Sequence, residues 1–406
     1  MRVLFLSYDG MTDPLGSSQV IPYLQGLARH GHQILILSAE KPDRHAALGP
    51  EIAKNLASAG IEWRPIRYHK NPPVLSTLFD VSRMFATALL LRRRFAFGIV
   101  HARSYVPALA AWALAKILPA RFLFDMRGFW ADERVDGGLW NLSRLPYRTV
   151  YRFFKYMEGR FLTESHAVVS LTHKGLEEMR RWPAASRMAP VEVIPCCVDT
   201  ARFSVVDPEE KRGLALRLGI APGDKILVYL GSLGTWYLLD EMLAFLSFVR
   251  KENPAWRFLV VTPDDPSRVT SRLNGLPPEA VIVASCRHAE APLYLSLAHA
   301  GLFFIRPAYS KMSSSPTKLG EMLAMGIPVV ANAGVGDVDW IFGRWPVGHL
   351  LRDFSPEEMA RGARALERLH PSPGIRAAAL DYFSLEKGVA RYQAIYERLG
   401  RASENT

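Results

Sequence analysis

The sequence predicts an α/β protein built from two Rossmann-like domains. Three observations carry this prediction. A chain of 406 residues is too long for one ordinary hydrophobic core, so two domains are expected. Short apolar runs alternate with longer amphipathic stretches, the pattern of strands and crossover helices. That alternation starts again in the second half of the chain, with KILVYL at 225–230.

Taken in order, RVLFLS at 2–7 reads as the first strand. The loop YDGMTDPLGSS follows, then a helix from about Gln19 to His30. Strand, glycine loop and helix make a Rossmann-like opening, although the spacing is not GxGxxG. Gly16 and Ser17 can let backbone approach a phosphate or a sugar, and a plain strand–helix loop fits the same residues. HQILILSAE and IEWRPIRYH read as the next strands, and LSTLFDVSRMFATALLLRRRF as a helix with a basic end. FGIVHARS brings His101, Arg103 and Ser104 to a strand exit, where open α/β sheets bind ligands. ALAAWALAKIL is too short for a membrane span and reads as a buried helix. RFLFDMRGFWADER places Asp125, Arg127 and Gly128 at the same edge. The stretch from Leu139 to Ser165 reads as a long helix with interleaved basic and aromatic residues, and HAVVSLTHKGLEEMRRW adds a strand and a helix. In the second half, KILVYLGSLG is a strand ending in a glycine loop, LLDEMLAFLSFVRKENP a helix, and WRFLVVTP and AVIVASCR strands. SPEEMARGARALERL and SLEKGVARYQAIYERL close the chain as amphipathic helices.

Bulk composition narrows the function classes. Lys and Arg exceed Asp and Glu, giving a net charge of +11, so an anionic partner is expected. Nucleic acid, anionic lipid and a nucleotide sugar all satisfy that. Cys196, Cys197 and Cys286 form no CxxC pair and no disulfide framework, which fits a reducing cytoplasm. VLFLS is short and followed by Asp9, so no signal peptide is expected. Asp264-Asp265 is flanked by prolines and reads as a turn, so no metal site is expected.

The stretch with most chemistry is 302–338, LFFIRPAYSKMSSSPTKLGEMLAMGIPVVANAGVGDV. LFFI reads as a buried strand. Ser315-Pro316 reads as an N-cap with proline at the first helical position. Thr317 to Met325 is the predicted helix, Gly326 its stop, and IPVVAN the next strand. The helix start offers free N–H groups and its positive dipole end beside Ser314, Ser315, Thr317 and Lys318, a place for phosphate. Glu321 lies on the face of Lys318, where a carboxylate can accept bonds from ribose hydroxyls. Arg306 and Lys311 precede the helix. An ordinary strand–helix–strand unit with a surface Lys–Glu pair fits the same residues.

This stretch, together with DMRGFWADER and VEVIPCCVDTARF, resembles the retaining glycosyltransferases of family four, polysaccharide-pathway branch. The resemblance implies the GT-B fold: two Rossmann-like domains facing a central cleft. It implies an N-terminal acceptor domain at 1–198, a nucleotide-sugar domain at 199–382, and a final helix at 383–406 crossing back to the first domain. The implied activity is hexosyl transfer from a UDP- or GDP-linked sugar with retention, needing no cofactor and no metal. The acceptor would be a glycan or a lipid-linked precursor.

By the same resemblance Glu321 holds the ribose, the helix start holds the diphosphate, and Arg287 and His288 lie where the base is read. Gly16, Ser17, Gly231 and Ser232 line the donor side, while His101, Arg103, Asp125 and Arg127 position the acceptor and the reacting sugar. The chain departs from the family in three places. Ser313 stands for a Glu near the sugar ring, and Ser232 and Tyr237 stand for an Arg and a Lys that touch the diphosphate. Arg306, Lys311 and Lys318 are expected to replace those two cations.

Peripheral binding to the inner face of an anionic cell membrane is expected from Arg92, Arg93, Arg94, Arg144, Arg148, Arg152 and Lys155. These mingle with Phe95, Tyr147, Tyr151 and Phe153. Nucleic acid is not the expected partner. The alternatives are a nucleotide-sugar 2-epimerase of the same fold, or a non-enzymatic basic protein that binds lipid or nucleic acid.

Overall fold

The computed structural model describes residues 1–404. The chain forms two compact units, one from Met1–Pro195 with the closing segment that begins at Leu385, the other from Cys196–Ser384. Each holds one all-parallel sheet with helices between the strands.

In the first unit the strands are β1 (Arg2–Ser7), β2 (Gln33–Glu40), β3 (Glu62–Arg67), β4 (Ile99–Arg103), β5 (Arg121–Asp125), β6 (Ala167–Ser170) and β7 (Val191–Val193). Their spatial order is β3-β2-β1-β4-β5-β6-β7. The chain winds outward from β1 in one direction, then returns to pair β4 on its other side, with Val3 opposite Ile99 and Ser7 opposite Arg103. The switch point between β1 and β4 is where such sheets open a crevice for a ligand. The inner strands are mostly apolar because helices cover both faces. Val3, Leu4, Leu6, Leu35, Ile36, Leu37, Val100 and Phe122 are all buried.

In the second unit the strands are β8 (Lys225–Leu230), β9 (Trp256–Val261), β10 (Val281–Ala284), β11 (Ala300–Phe303), β12 (Val329–Asn332) and β13 (Gly348–Leu351), ordered β10-β9-β8-β11-β12-β13. Here the switch point lies between β8 and β11. The second sheet therefore repeats the plan of the first.

Local differences from the sequence reading have local causes. The loop after β1 contains a short helix, Pro14–Gln19, before Ile21–Arg29. Proline at the head of each starts both helices. The strand expected at LFFI begins earlier, at Ala300, because β11 pairs with β8 from that residue and with β12 from Gly301. Helices Pro42–Ser58, Val338–Arg344 and Pro373–Tyr382 and strand β13 had no signal strong enough to be read. The closing helix, Leu385–Glu404, packs on Ile21–Arg29 of the first unit. Gly26 makes the crossing possible, since a Cβ there would sit 2.5 Å from Val389 Cγ2.

Candidate functional site

In the second unit, polar residues gather at the β8–β11 switch point. The loop after β8 runs along the strand exit of β11. Leu238 N–H donates to Phe304 O at 3.0 Å, and Arg306 N–H donates to Trp236 O at 2.9 Å. Asn332, at the end of β12, fixes that exit from the other side. Its amide accepts from Ile305 N–H at 2.7 Å and donates to Ile305 O at 2.9 Å. Gly231 opens the loop at φ +125°, a backbone state that favours glycine. Asp264 accepts from Leu233 N–H at 2.5 Å, so it buttresses the loop and forms part of a turn. Tyr229 Oη donates to Ser232 O.

This pairing brings the cations onto aromatic faces. Arg306 lies 4.8 Å and Lys311 Nζ 3.8 Å from the Trp236 ring centroid. Lys318 Nζ lies 3.3 Å from the Tyr237 ring and 4.8 Å from the Tyr229 ring. Lys318 is buried, and burial pushes its amine well below the usual lysine range, while the carboxylate of Glu321 pulls it back. The aromatic faces also favour the charged form, by about 0.5–2 kcal/mol each. A bound anion would favour the protonated form of this amine.

The helix spans Thr317–Ala324, ended by Gly326 at φ +74°. Ser315 is not its N-cap. The cap position is Pro316, with no side-chain cap bond, and Ser315 Oγ accepts from Cys196 N–H at 3.1 Å. Proline has no side-chain acceptor, so no cap side chain takes the N–H groups of the first turn, and Leu319 N–H donates to Pro316 O at 3.2 Å. Ser314 and Thr317 are half-buried there. Ser313 is buried and donates to Ser310 O at 3.0 Å. Glu321 is buried one turn in, its Oε1 2.9 Å from His288 Nε2. His288 in turn lies 5.8 Å from Phe203, the two rings tilted at 52°. The sequence reading placed His288 beside the base and missed its bond to Glu321. Arg287 is exposed, and its backbone N–H donates to Glu290.

In the first unit, two adjacent strand exits carry backbone strain. Ser104, after β4, has φ +73°, and Arg127, after β5, has φ +55° with Gly128 at φ +107°. Non-glycine residues in this region cost about 1–3 kcal/mol each and cluster at functional sites. Arg103 bonds Asp9 at 2.8 Å, and Arg127 lies 3.9 Å from Asp125.

His101 is corrected by the structure. It lies two residues inside β4 rather than at its end, and it is 2% exposed. Its Nδ1 is 2.8 Å from Tyr396 Oη, and its Nε2 is 3.5 Å from Asp125 Oδ2. Tyr392 Oη donates to the same Asp125 oxygen at 2.9 Å. His101 is therefore held between Tyr396 and Asp125. Burial holds His101 neutral, and the cations Arg127 and Arg103 together with His101 hold the Asp125 carboxyl below its usual range.

Gly16 is also reassigned. It lies in helix Pro14–Gln19, where a Cβ would sit 2.6 Å from Met11 Cα, so its bareness serves packing against the first loop. That loop is held by buried Glu40, which accepts from Met11 N–H at 2.6 Å and Thr12 Oγ1 at 2.6 Å. Ser17 caps nothing and donates to Pro14 O at 3.2 Å.

Residues 19–202 match the family model described as Glycosyltransferase Family 4. The matched segment contains the whole β4–β5 edge. A D-inositol 3-phosphate glycosyltransferase of Segniliparus rotundus is 26% identical over 244 residues, 56% of this chain and 51% of that protein. The chain thus matches about half of that relative's length. Among solved structures, sucrose-phosphate synthase from Thermosynechococcus elongatus superposes with a TM-score of 0.71 at 16% identity, covering 99% of both chains. Anabaena HepE in complex with UDP-glucose superposes with 0.68 at 14% identity, over 99% of this chain and 100% of that one. These likenesses show the fold, which is that of the GT-B glycosyltransferases with two Rossmann-like, all-parallel units.

Proposed function

We propose that the protein is a glycosyltransferase that takes a sugar from a nucleoside diphosphate donor and retains its anomeric configuration. The observation that carries this is the cation cluster at the β8–β11 switch point. Three cations and an uncapped helix start converge there, with Glu321 one turn behind. A departing nucleoside diphosphate develops negative charge on its phosphates, and preorganised donors and cations stabilise it best where water is scarce. Tyr237 stands where the resemblance implies a lysine, and Lys318 Nζ lies over its ring, which supports relocation of the missing charge.

In this reading Glu321 accepts from the ribose, with His288 holding its carboxylate in place. Arg103, Asp125 and Arg127 bind the acceptor, which we propose is a lipid-linked glycan precursor. The enzyme would sit on the inner face of the membrane. Exposed Arg93, Arg148 and Arg152 support that siting. Lys155 does not take part, because it is paired with Asp132 at 2.9 Å and Glu158 at 2.5 Å. Among the described residues no helix is long and apolar enough to cross a membrane.

The test is titration calorimetry with UDP, GDP and the bare nucleosides, followed by nucleoside diphosphate release from the matching sugars. Tighter binding of a diphosphate than of its nucleoside is expected. Equal affinity for the two would overturn the assignment.

A further inference from the structure

The segment between β3 and the helix Leu75–Arg92 turns large apolar side chains outward. Val74 is 53% exposed, Leu75 64%, Leu78 61% and Phe79 54%. Leu78 and Phe79 follow Leu75 by three and four residues, so all three share one face of the first turns. The opposite face is anchored. Asp80 is buried and accepts from Tyr8 Oη at 3.0 Å and from His69 N–H at 2.9 Å. The lead-in is a tight turn, with Leu75 N–H donating to Pro73 O at 2.8 Å and Ser76 N–H to Pro72 O at 3.0 Å. Val74 at its tip has φ +68°, an outlier for a β-branched side chain. Backbone strain is thus held where it pushes an apolar residue into solvent. A contiguous exposed apolar cluster marks an interaction surface.

Charge selects the partner. Arg64, Arg67 and Lys70 are exposed on the approach to the cluster, and Arg83 lies 5.8 Å from the Phe79 ring. The only acid from Trp63 to Gly98 is the buried Asp80. An apolar tip with a wholly basic rim matches an anionic membrane interface. A second copy would bury the tip but would press two basic rims together, which is unfavourable.

We propose that residues 70–79 form a knuckle that inserts Val74, Leu75, Leu78 and Phe79 into the interfacial layer of an anionic bilayer. This deepens the membrane siting proposed above by naming the element that enters the lipid. It rests on none of the donor-site residues. Insertion of the knuckle is driven by apolar burial, while the rim adds a salt-sensitive attraction.

The full-length protein is floated with phosphatidylcholine vesicles, with and without phosphatidylglycerol, at low and high salt. The variants are Leu75→Ser and Leu78→Ser, both at exposed positions. Wild type should float with the anionic vesicles and less so at high salt. Each serine should weaken partitioning about tenfold, the loss expected from one buried leucine side chain. Melting temperature and UDP or GDP affinity, measured in the same variants, should not change, so the lipid and donor readings fail separately. Wild type that does not float, or serine variants that float like wild type, would overturn the proposal. So would a wild-type dimer, seen by sedimentation, that the serines dissolve without any effect on vesicles.

Discussion

Lys318 shows how one residue trades stability for binding. Its buried amine titrates well below the 10.5 of a free lysine. The unfolded chain therefore holds a proton that the folded chain resists, and stability rises with pH from the depressed value up to 10.5. A diphosphate beside the amine favours the charged form, so binding should draw a proton from solution above the depressed pKa. Calorimetry in buffers of different ionisation enthalpy should show proton uptake, and Lys318→Met should abolish it. The same variant should melt higher than wild type without nucleotide, because folding no longer has to strip a proton from a buried amine. It should also bind diphosphate more weakly while binding nucleoside unchanged. Glu321→Ala should weaken nucleotide binding by about 1.5–3 kcal/mol, the range for a hydrogen bond to a charged group. Nucleoside affinity should fall with it, since the ribose is common to both ligands. Unchanged affinity in a folded variant would remove Glu321 from the site.

At the scale of elements, the closing helix Leu385–Glu404 joins the first unit through polar bonds between residues far apart in the chain. Tyr396 bonds His101, Tyr392 bonds Asp125, and Arg391 donates to Val193 O at 2.5 Å. Tyr396→Phe keeps the ring and leaves His101 Nδ1 without its partner. Urea denaturation should report a loss of about 1–3 kcal/mol, the cost of an unsatisfied buried group. His101 also sets an acid limit. Its folded pKa lies below 6.5, so the unfolded chain takes up a proton first as pH falls. The stability it contributes is complete above 6.5 and is lost as pH drops from there towards its folded value. His32, His166, His299 and His349 are held neutral in the same way. His101→Gln should therefore flatten the acid slope without removing it, as read from denaturation midpoints across that window.

At the scale of the molecule, two units of one plan carry different chemistry. The residues proposed to bind phosphate lie in the second, and the strained strand exits with Arg103 and Arg127 lie in the first. Arg127→Ala should therefore depress turnover severalfold or more while leaving nucleoside diphosphate affinity intact. Steady-state kinetics beside calorimetry separates the two effects, and wild-type turnover would exclude Arg127. The net charge of +11 makes association with anions salt-dependent over a Debye length of about 8–10 Å.

What the sequence determined by itself was local and periodic. Apolar runs such as RVLFLS and KILVYL named their strands, and Gly326 marked a helix end, because such signals depend on neighbours within a few residues. The residues proposed here for a donor site were legible as a group, as Arg306, Lys311, Lys318 and Glu321 stand within one loop and helix. Their partners were not. Sheet order decides that the loop after β8 meets the exit of β11, and only then do Trp236 and Tyr237 come under Lys311 and Lys318. His288 reaches Glu321 by the same route. Ser315 read as a cap because the serine–proline pair is a local signal, but its hydroxyl bonds Cys196, far away in the chain. His101 read as a strand end, and the true length of β4 buried it. Contacts between residues distant in sequence are made by packing, and packing belongs to the tertiary structure.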